Sequence, residues 1–157
     1  MSHCLEGIIL TQANVTWYGH SCFLIELAGS TVVLDPYGVG SVPGLRLPDL
    51  SADAVRVSHS HTDHGAVERV LTSGKPLNFR VREVMGDHDH HNGARRGKNR
   101  ILVIEYEGLR LVHLGDQGCV LTQKQIDEIG HPDLLMLPVG GYFTIDAAEA
   151  RQIMDQL

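Results

Sequence analysis

An α/β fold is what this sequence predicts, and three observations carry the prediction. Short runs rich in Val, Ile and Leu recur along the chain between Gly, Pro, Asn and Asp residues, the punctuation of β-strands. Ala66, Val67, Val70 and Leu71, and later Ala150, Ile153, Met154 and Leu157, recur at helical spacing instead. The segment Ser58-His59-Ser60-His61-Thr62-Asp63-His64 follows the apolar run 54–57 directly, so chemically active side chains arrive where a buried strand ends.

Val15 to Ala28 and Thr31 to Leu34 are dense in apolar, aromatic and β-branched residues and read as paired strands turning at Gly29-Ser30. Pro36, Gly38, Gly40, Pro43, Gly44 and Pro48 mark a long loop. Ala54 to Val57 is then a short buried strand, and the stripe from Ala66 to Leu71 reads as a helix capped by Thr62 or Asp63. Leu77 to Met85 alternates as a strand, and Ile101 to Tyr106 with Leu109 to Leu114 forms a hairpin around Glu107-Gly108 that runs into Gly115-Asp116. Thr122 caps a helix to Ile129, Asp133 to Leu137 is a buried strand, and Asp146 opens a final helix. No Gly, Asn or Pro punctuates that helix, which gives the expectation that the single domain, 1–157, is cut short of a natural boundary.

With 157 residues and 43% hydrophobic content the chain can bury one real core. A net charge of −6 excludes a general nucleic-acid binder, which needs a basic surface to neutralise phosphates. Cys4, Cys22 and Cys119 are odd in number and widely spaced, which fits a reducing compartment and a cytoplasmic protein. The Ile8-Ile9-Leu10 run is too short for a signal peptide or a membrane span, so no membrane partner is expected.

The ten histidines are the outlier in the composition. In an extended segment His59 and His61 point the same way and can grip one ion together. Asp63 and His64 fall where the strand turns and can serve a second ion. Two histidines plus a carboxylate suit zinc, manganese or iron. A third histidine has to come from His88, His90 or His91, which lie together; His88 and His90 share parity if the segment is extended. Arg95, Arg96, Lys98 and Arg100 form the one dense basic cluster, which reads either as a solvated loop or as a receiver of an anionic or phosphorylated small molecule.

The His59 to His64 spacing resembles the H-x-H-x-D-H signature of the metallo-β-lactamase superfamily. The likeness extends through Trp17-Tyr18-Gly19-His20-Ser21-Cys22-Phe23, Leu34-Asp35-Pro36, His88-Asp89, Arg96-Gly97-Lys98-Asn99, His113-Leu114-Gly115-Asp116 and Pro138-Val139-Gly140-Gly141. It points to the branch that includes L-ascorbate-6-phosphate lactonase and many uncharacterised metal-dependent hydrolases. The resemblance implies a four-layer αββα sandwich and a metal-bound hydroxide attacking an ester, lactone, amide or phosphoester. By the same resemblance His59, His61 and a later histidine, His88 before His90, hold a first zinc, Asp63 and His64 a second, and Asp116 bridges them. Asp63 and Asp116 are then the catalytic carboxylates. Asp35 supports a ligating histidine, His113 either does the same or is satisfied by a backbone carbonyl, Arg96 faces substrate, and His20 lies near the pocket without an assigned role.

Relatives in that branch continue into a strand that carries one more histidine for the second ion, and Cys119 stands where many have a histidine. The implied centre therefore keeps one or two ions, and uncovered apolar surface favours a homo-oligomer. A catalytically silent metal-binding scaffold, a nuclease and di-iron oxidoreductase chemistry are the rival readings.

Overall fold

The computed structural model describes residues 11–157; Cys4 and the Ile8-Ile9-Leu10 run lie outside the described residues. Three antiparallel strands open this part of the chain: β1 (Ala13–Trp17), β2 (Phe23–Leu27) and β3 (Ser30–Leu34). After the long loop come β4 (Leu50–Ala52) and β5 (Ala54–Arg56), and β5 joins β3 in parallel to complete a sheet ordered β1-β2-β3-β5. A single 3-10 turn at Val67–Arg69 leads into β6 (Val70–Thr72), which pairs with β4 as a separate two-stranded ribbon. The second sheet contains β7 (Arg80–Asp87), β8 (Lys98–Tyr106), β9 (Leu109–His113) and β10 (Leu134–Met136), ordered β10-β9-β8-β7. The helices are α1 (Gln123–Ile129) and α2 (Ala147–Gln156), and among the described residues no helix is long and apolar enough to cross a membrane.

Burial on both faces explains the uninterrupted apolar run of β8. Leu102 and Ile104 pack between the sheets against Ile25, Leu27, Val32, Leu34, Leu111 and Met136. Their neighbours Ile101 and Val103 point the other way, into a core shared with Ile129 of α1 and Ala150 and Ile153 of α2. A period of two divides one sequence run between two cores. On the outer face of the first sheet, Val33 packs under Tyr37, Leu47 and the ribbon residues Leu50, Ala52 and Val70, so a loop and a ribbon form that layer.

The strand expected from Val15 to Ala28 is two strands. Tyr18 N–H donates to the Cys22 carbonyl at 2.9 Å and Cys22 N–H to the Gly19 carbonyl at 3.0 Å, closing a turn in which His20 has left-handed backbone (φ 51). The helix expected over Ala66 to Leu71 is replaced by the 3-10 turn and β6. There Ala66 N–H bonds to the Pro36 carbonyl and Val70 is drawn into the ribbon, while Leu71 faces solvent. Tertiary bonds outcompete a helix this short, which could offer only a few of its own. The buried strand expected at Asp133 to Leu137 is an edge strand, with Leu134 outward and Met136 between the sheets, and the expected α2 stripe loses Met154 to solvent. The helix starts agree with the sequence: Thr122 and Asp146 both form capping boxes, with Gln125 and Glu149.

Leu102→Ala is expected to cost about 2–5 kcal/mol, because it opens a cavity between the sheets. Leu71→Ala is expected to stay within about 0.5 kcal/mol, and urea denaturation of the two variants checks the contrast.

Candidate metal centre

Both sheets send their functional residues to one end of the sandwich. β3 runs out into Asp35, β5 into Ser58 to His64, β7 into His88, and β9 into Gly115-Asp116, while the turn between β1 and β2 presents His20. The loops must approach closely to meet. Gly115 has left-handed backbone (φ 55), and a Cβ there would overlap the Ser58 side chain; a Cβ on Gly118 would overlap the backbone of His88 and Asp89. Asn99 sets the height of the Asp116 loop, donating to the Leu114 carbonyl at 2.8 Å and accepting from Asp116 N–H at 3.0 Å.

Two groups of donors result. One ligand atom each from His59, His61 and His88 lies within 4.8 Å of the others, and the same holds for His20, Asp63 and His64. Asp116 lies between the groups. Its Oδ2 is 3.3 Å from His88 Nε2 and 4.0 Å from His59 Nε2, while its Oδ1 is 3.2 Å from His64 Nε2. One carboxylate thus turns one oxygen to each group, the arrangement a bridging ligand needs.

Asp35 fixes the tautomers. Fully buried, it accepts from Ser58 N–H at 2.6 Å, Ser58 Oγ–H at 2.7 Å, His64 Nδ1–H at 2.9 Å and His113 Nε2–H at 2.8 Å. Ser58 has one hydroxyl proton, so having given it to Asp35 it must accept from His59 Nδ1–H at 3.0 Å. Both His59 and His64 are therefore anchored through Nδ1 and turn Nε2 into the site. His59 Nε2 is buried with no hydrogen-bond partner among the described residues. An orphaned imidazole lone pair beside a carboxylate is a place for a cation.

The electrostatics agree with that assignment of protons. Burial, followed by the neighbouring His64, lowers His59 to about 4, so its ring is neutral near pH 7 and its lone pair free. Burial would raise Asp35, yet the bonds and charge of His113 and His64 hold it below the ordinary carboxylate range. Asp116 behaves in the same way, held down against burial by His64 and His88. Burial would lower His64, but Asp116 and Asp35 lift it to about 10, so without a metal a proton occupies Nε2 and must leave when an ion binds.

Of the three clustered histidines, the structure brings His88 beside His59 and His61. His90 turns outward to Glu149 at 3.5 Å, and His91 uses its backbone N–H on Asp89. Asp89 also takes the N–H groups of Gly93, Arg95 and Arg96, which shapes the loop that follows. His113 bonds to the Asp35 carboxylate; a backbone carbonyl is not its partner. The basic cluster divides: Lys98 pairs with Asp87 and Arg100 with Glu83 across β7 and β8, while Arg95 and Arg96 line a polar cavity of about 610 Å³ with His61 and His88. The Arg96 guanidinium lies 3.6 Å over the Phe143 ring. On the other side of Tyr142 and Phe143, Trp17, Phe23, Met136 and Val139 wall an apolar cavity of about 410 Å³ that reaches Asp63 and Asp116. Cys22, pushed up to about 12 by burial and by Asp35, is an inert core thiol.

Sequence reasoning left His20 without a role and missed Ser58 and Asn99. Ser58 sits between Val57 and the first histidine, which is the only signal it offered; Asn99 stood in the Arg96-Gly97-Lys98-Asn99 likeness without a role, because its partners are 15, 17 and 18 positions away.

Two packed sheets with imidazoles and carboxylates gathered at their strand ends define a protein of the metallo-β-lactamase type. The family model described as the β-lactamase superfamily domain matches residues 14–157, and the chain belongs to that family. Among its relatives is a UPF0173 metal-dependent hydrolase of Carboxydothermus hydrogenoformans, 29% identical over 178 residues that cover 90% of this chain and 79% of the relative. Another, from Methanoculleus marisnigri, is 30% identical over 170 residues, covering 87% and 73%. A crystal structure from Thermotoga maritima, described as a candidate zinc-dependent hydrolase of the metallo-β-lactamase superfamily, superposes with a TM-score of 0.69 at 35% identity, over 93% of this chain and 71% of that one. A metallo hydrolase of Ignicoccus hospitalis shares the fold, with a TM-score of 0.67 at 21% identity over 92% and 78%.

Asp35→Asn places amide N–H groups where Ser58 and His64 now donate, and so turns His64 towards the wrong tautomer. Zinc affinity is expected to fall about 10–100-fold, measured by competition with a chromophoric chelator on protein whose circular dichroism matches wild type.

Proposed function

We propose that this protein is a metal-dependent hydrolase that cleaves an ester, lactone, amide or phosphoester bond in a small anionic substrate, with one or two zinc, manganese or iron ions. The observation that carries this reading is the orphaned, buried Nε2 of His59, tautomer-locked through Ser58 and directed with His61 and His88 at Asp116. His59, His61, His88 and Asp116 would hold one ion, and Asp63, His64 and Asp116 the other. The kinship with proteins named metal-dependent hydrolases supports the same reading.

When bound, such ions acidify a water and neutralise the charge that develops on the attacked oxygen. The residues of the chain do the rest. Asp63 is about one third exposed and borders the apolar cavity, so its carboxylate can accept a hydrogen bond from the attacking water and aim it. Asp116 keeps the two donor groups at a fixed separation. Arg95 and Arg96 offer donors to a carboxylate or phosphate on the substrate, and the ring of Phe143 holds the Arg96 guanidinium in place. Trp17, Phe23 and Met136 receive the less polar part of the substrate and exclude water from the opposite side.

Removing the metal with a chelator is expected to abolish turnover in an ester, lactone and phosphodiester panel, and zinc or manganese to restore it. The double variant His59→Ala/His61→Ala should lose both bound metal and turnover. Full metal content with no turnover on any member of the panel would instead identify a silent scaffold. Arg96→Ala is expected to raise KM about 10-fold for anionic substrates and to leave neutral esters unchanged, the loss of one charge-assisted hydrogen bond.

A further inference from the structure

The second donor group is richer than the family resemblance implied. His20 reaches it from 44 positions before His64. Its Nε2 is 3.1 Å from His64 Nε2 and 3.4 Å from Asp63 Oδ2, and the three ligand atoms of His20, Asp63 and His64 lie within 4.8 Å of one another. His64 Nε2 is in turn 3.2 Å from Asp116 Oδ1. Two imidazoles and the Asp63 carboxylate therefore face one small volume, and Asp116 adjoins it through His64.

The anchoring of His64 makes this more than a chance contact. Its Nδ1 is held by Asp35, which turns Nε2 towards Asp116 Oδ1 and His20 Nε2. Among the described residues every ion pair of Asp63 and Asp116 is with a histidine, and none is with a lysine or arginine.

The turn that carries His20 is built to hold it there. Trp17 Nε1–H donates to the His20 carbonyl at 2.9 Å, the two bonds between Tyr18, Gly19 and Cys22 close the turn, and His20 is kept in left-handed backbone. A histidine held in that conformation by three hydrogen bonds within the turn occupies a position that an unconstrained loop would leave.

We propose that His20 is a ligand of the second metal ion, completing a two-imidazole, two-carboxylate site with Asp63, His64 and Asp116. The turn between β1 and β2 then contributes directly to the second site. Such a mixed nitrogen and oxygen set suits zinc or another divalent first-row ion. The inference rests on the proposed metal-dependent hydrolase reading, yet it concerns one ligand.

The test is metal stoichiometry and affinity, read without an activity assay. Metal-free wild type, His20→Ala, His20→Gln and His59→Ala are titrated with Zn²⁺ against a chelator and, in parallel, with Co²⁺ while the visible absorption of the bound ion is followed. Wild type is expected to take up two equivalents. Both His20 variants should keep one and weaken the other by about 100-fold or more, since a direct ligand matters more than the outer partners whose loss costs 10–100-fold. Matching thermal melts of the metal-free proteins establish that the variants fold; His20 is about one third exposed, so its removal leaves the core intact.

If His20→Gln binds both ions as wild type does, His20 is only a hydrogen-bond donor to His64 and the proposal fails while the hydrolase reading stands. A wild type that binds a single equivalent overturns the proposal and leaves the first site. A wild type that binds none overturns the metal reading itself.

Discussion

The carboxylate of Asp35 is the point on which the rest of this end of the molecule depends. It sits at the end of β3 with left-handed backbone and takes hydrogen bonds from the segment after β5, from His64, and from His113 on the other sheet. A buried charge is tolerated only where donors surround it, and here the donors come from both sheets. The sheets are therefore registered by a polar contact as well as by the apolar layer around Leu102 and Ile104. The same carboxylate decides which imidazole nitrogens turn inward: that of His64 directly, that of His59 through the one proton of Ser58.

From that anchor the site is assembled by close approach. Small residues at 115 and 118 let the loop after β9 lie against Ser58 and against the His88 loop, and Asn99 ties Asp116 back to the second sheet. The outcome is a carboxylate with one oxygen towards each donor group. Moving either loop by a side-chain width would leave Asp116 serving one group alone, which is why residues that touch no substrate control the geometry of the centre.

Charge is distributed unevenly around this centre. Lys98 and Arg100 are neutralised by cross-strand partners, leaving Arg95 and Arg96 on one flank and an apolar wall on the other. Within the centre, histidines alone face the acids, and desolvated carboxylates without a fixed cation favour a bound metal or a retained proton. In the metal-free protein the lifted His64 meets that demand, while His59, lowered by burial, stays neutral.

Local chemistry was legible in the sequence because its causes are local. The capping boxes at Thr122 and Asp146, the hairpin at Glu107-Gly108 and the strand-to-ligand order of 54–64 each depend on residues within a few positions of one another. The ribbon that replaced a helix after Gly65 and the outward turn of His90 were not legible, since a bond to Pro36, a neighbouring β4 and Glu149 decide them. Sequence alone determined the family and the residue types that could bind a metal, because the ligand spacing of 59–64 is carried by neighbouring residues, although the segment is a turn rather than the extended strand expected. Only the tertiary structure decided which distant partners join them: His88, Asp116 and the two arginines on their side, His20 on the other. The physical reason is that a donor group is defined by distances of a few ångströms between residues up to 57 positions apart, from His59 to Asp116, and only the packing of the two sheets fixes those distances.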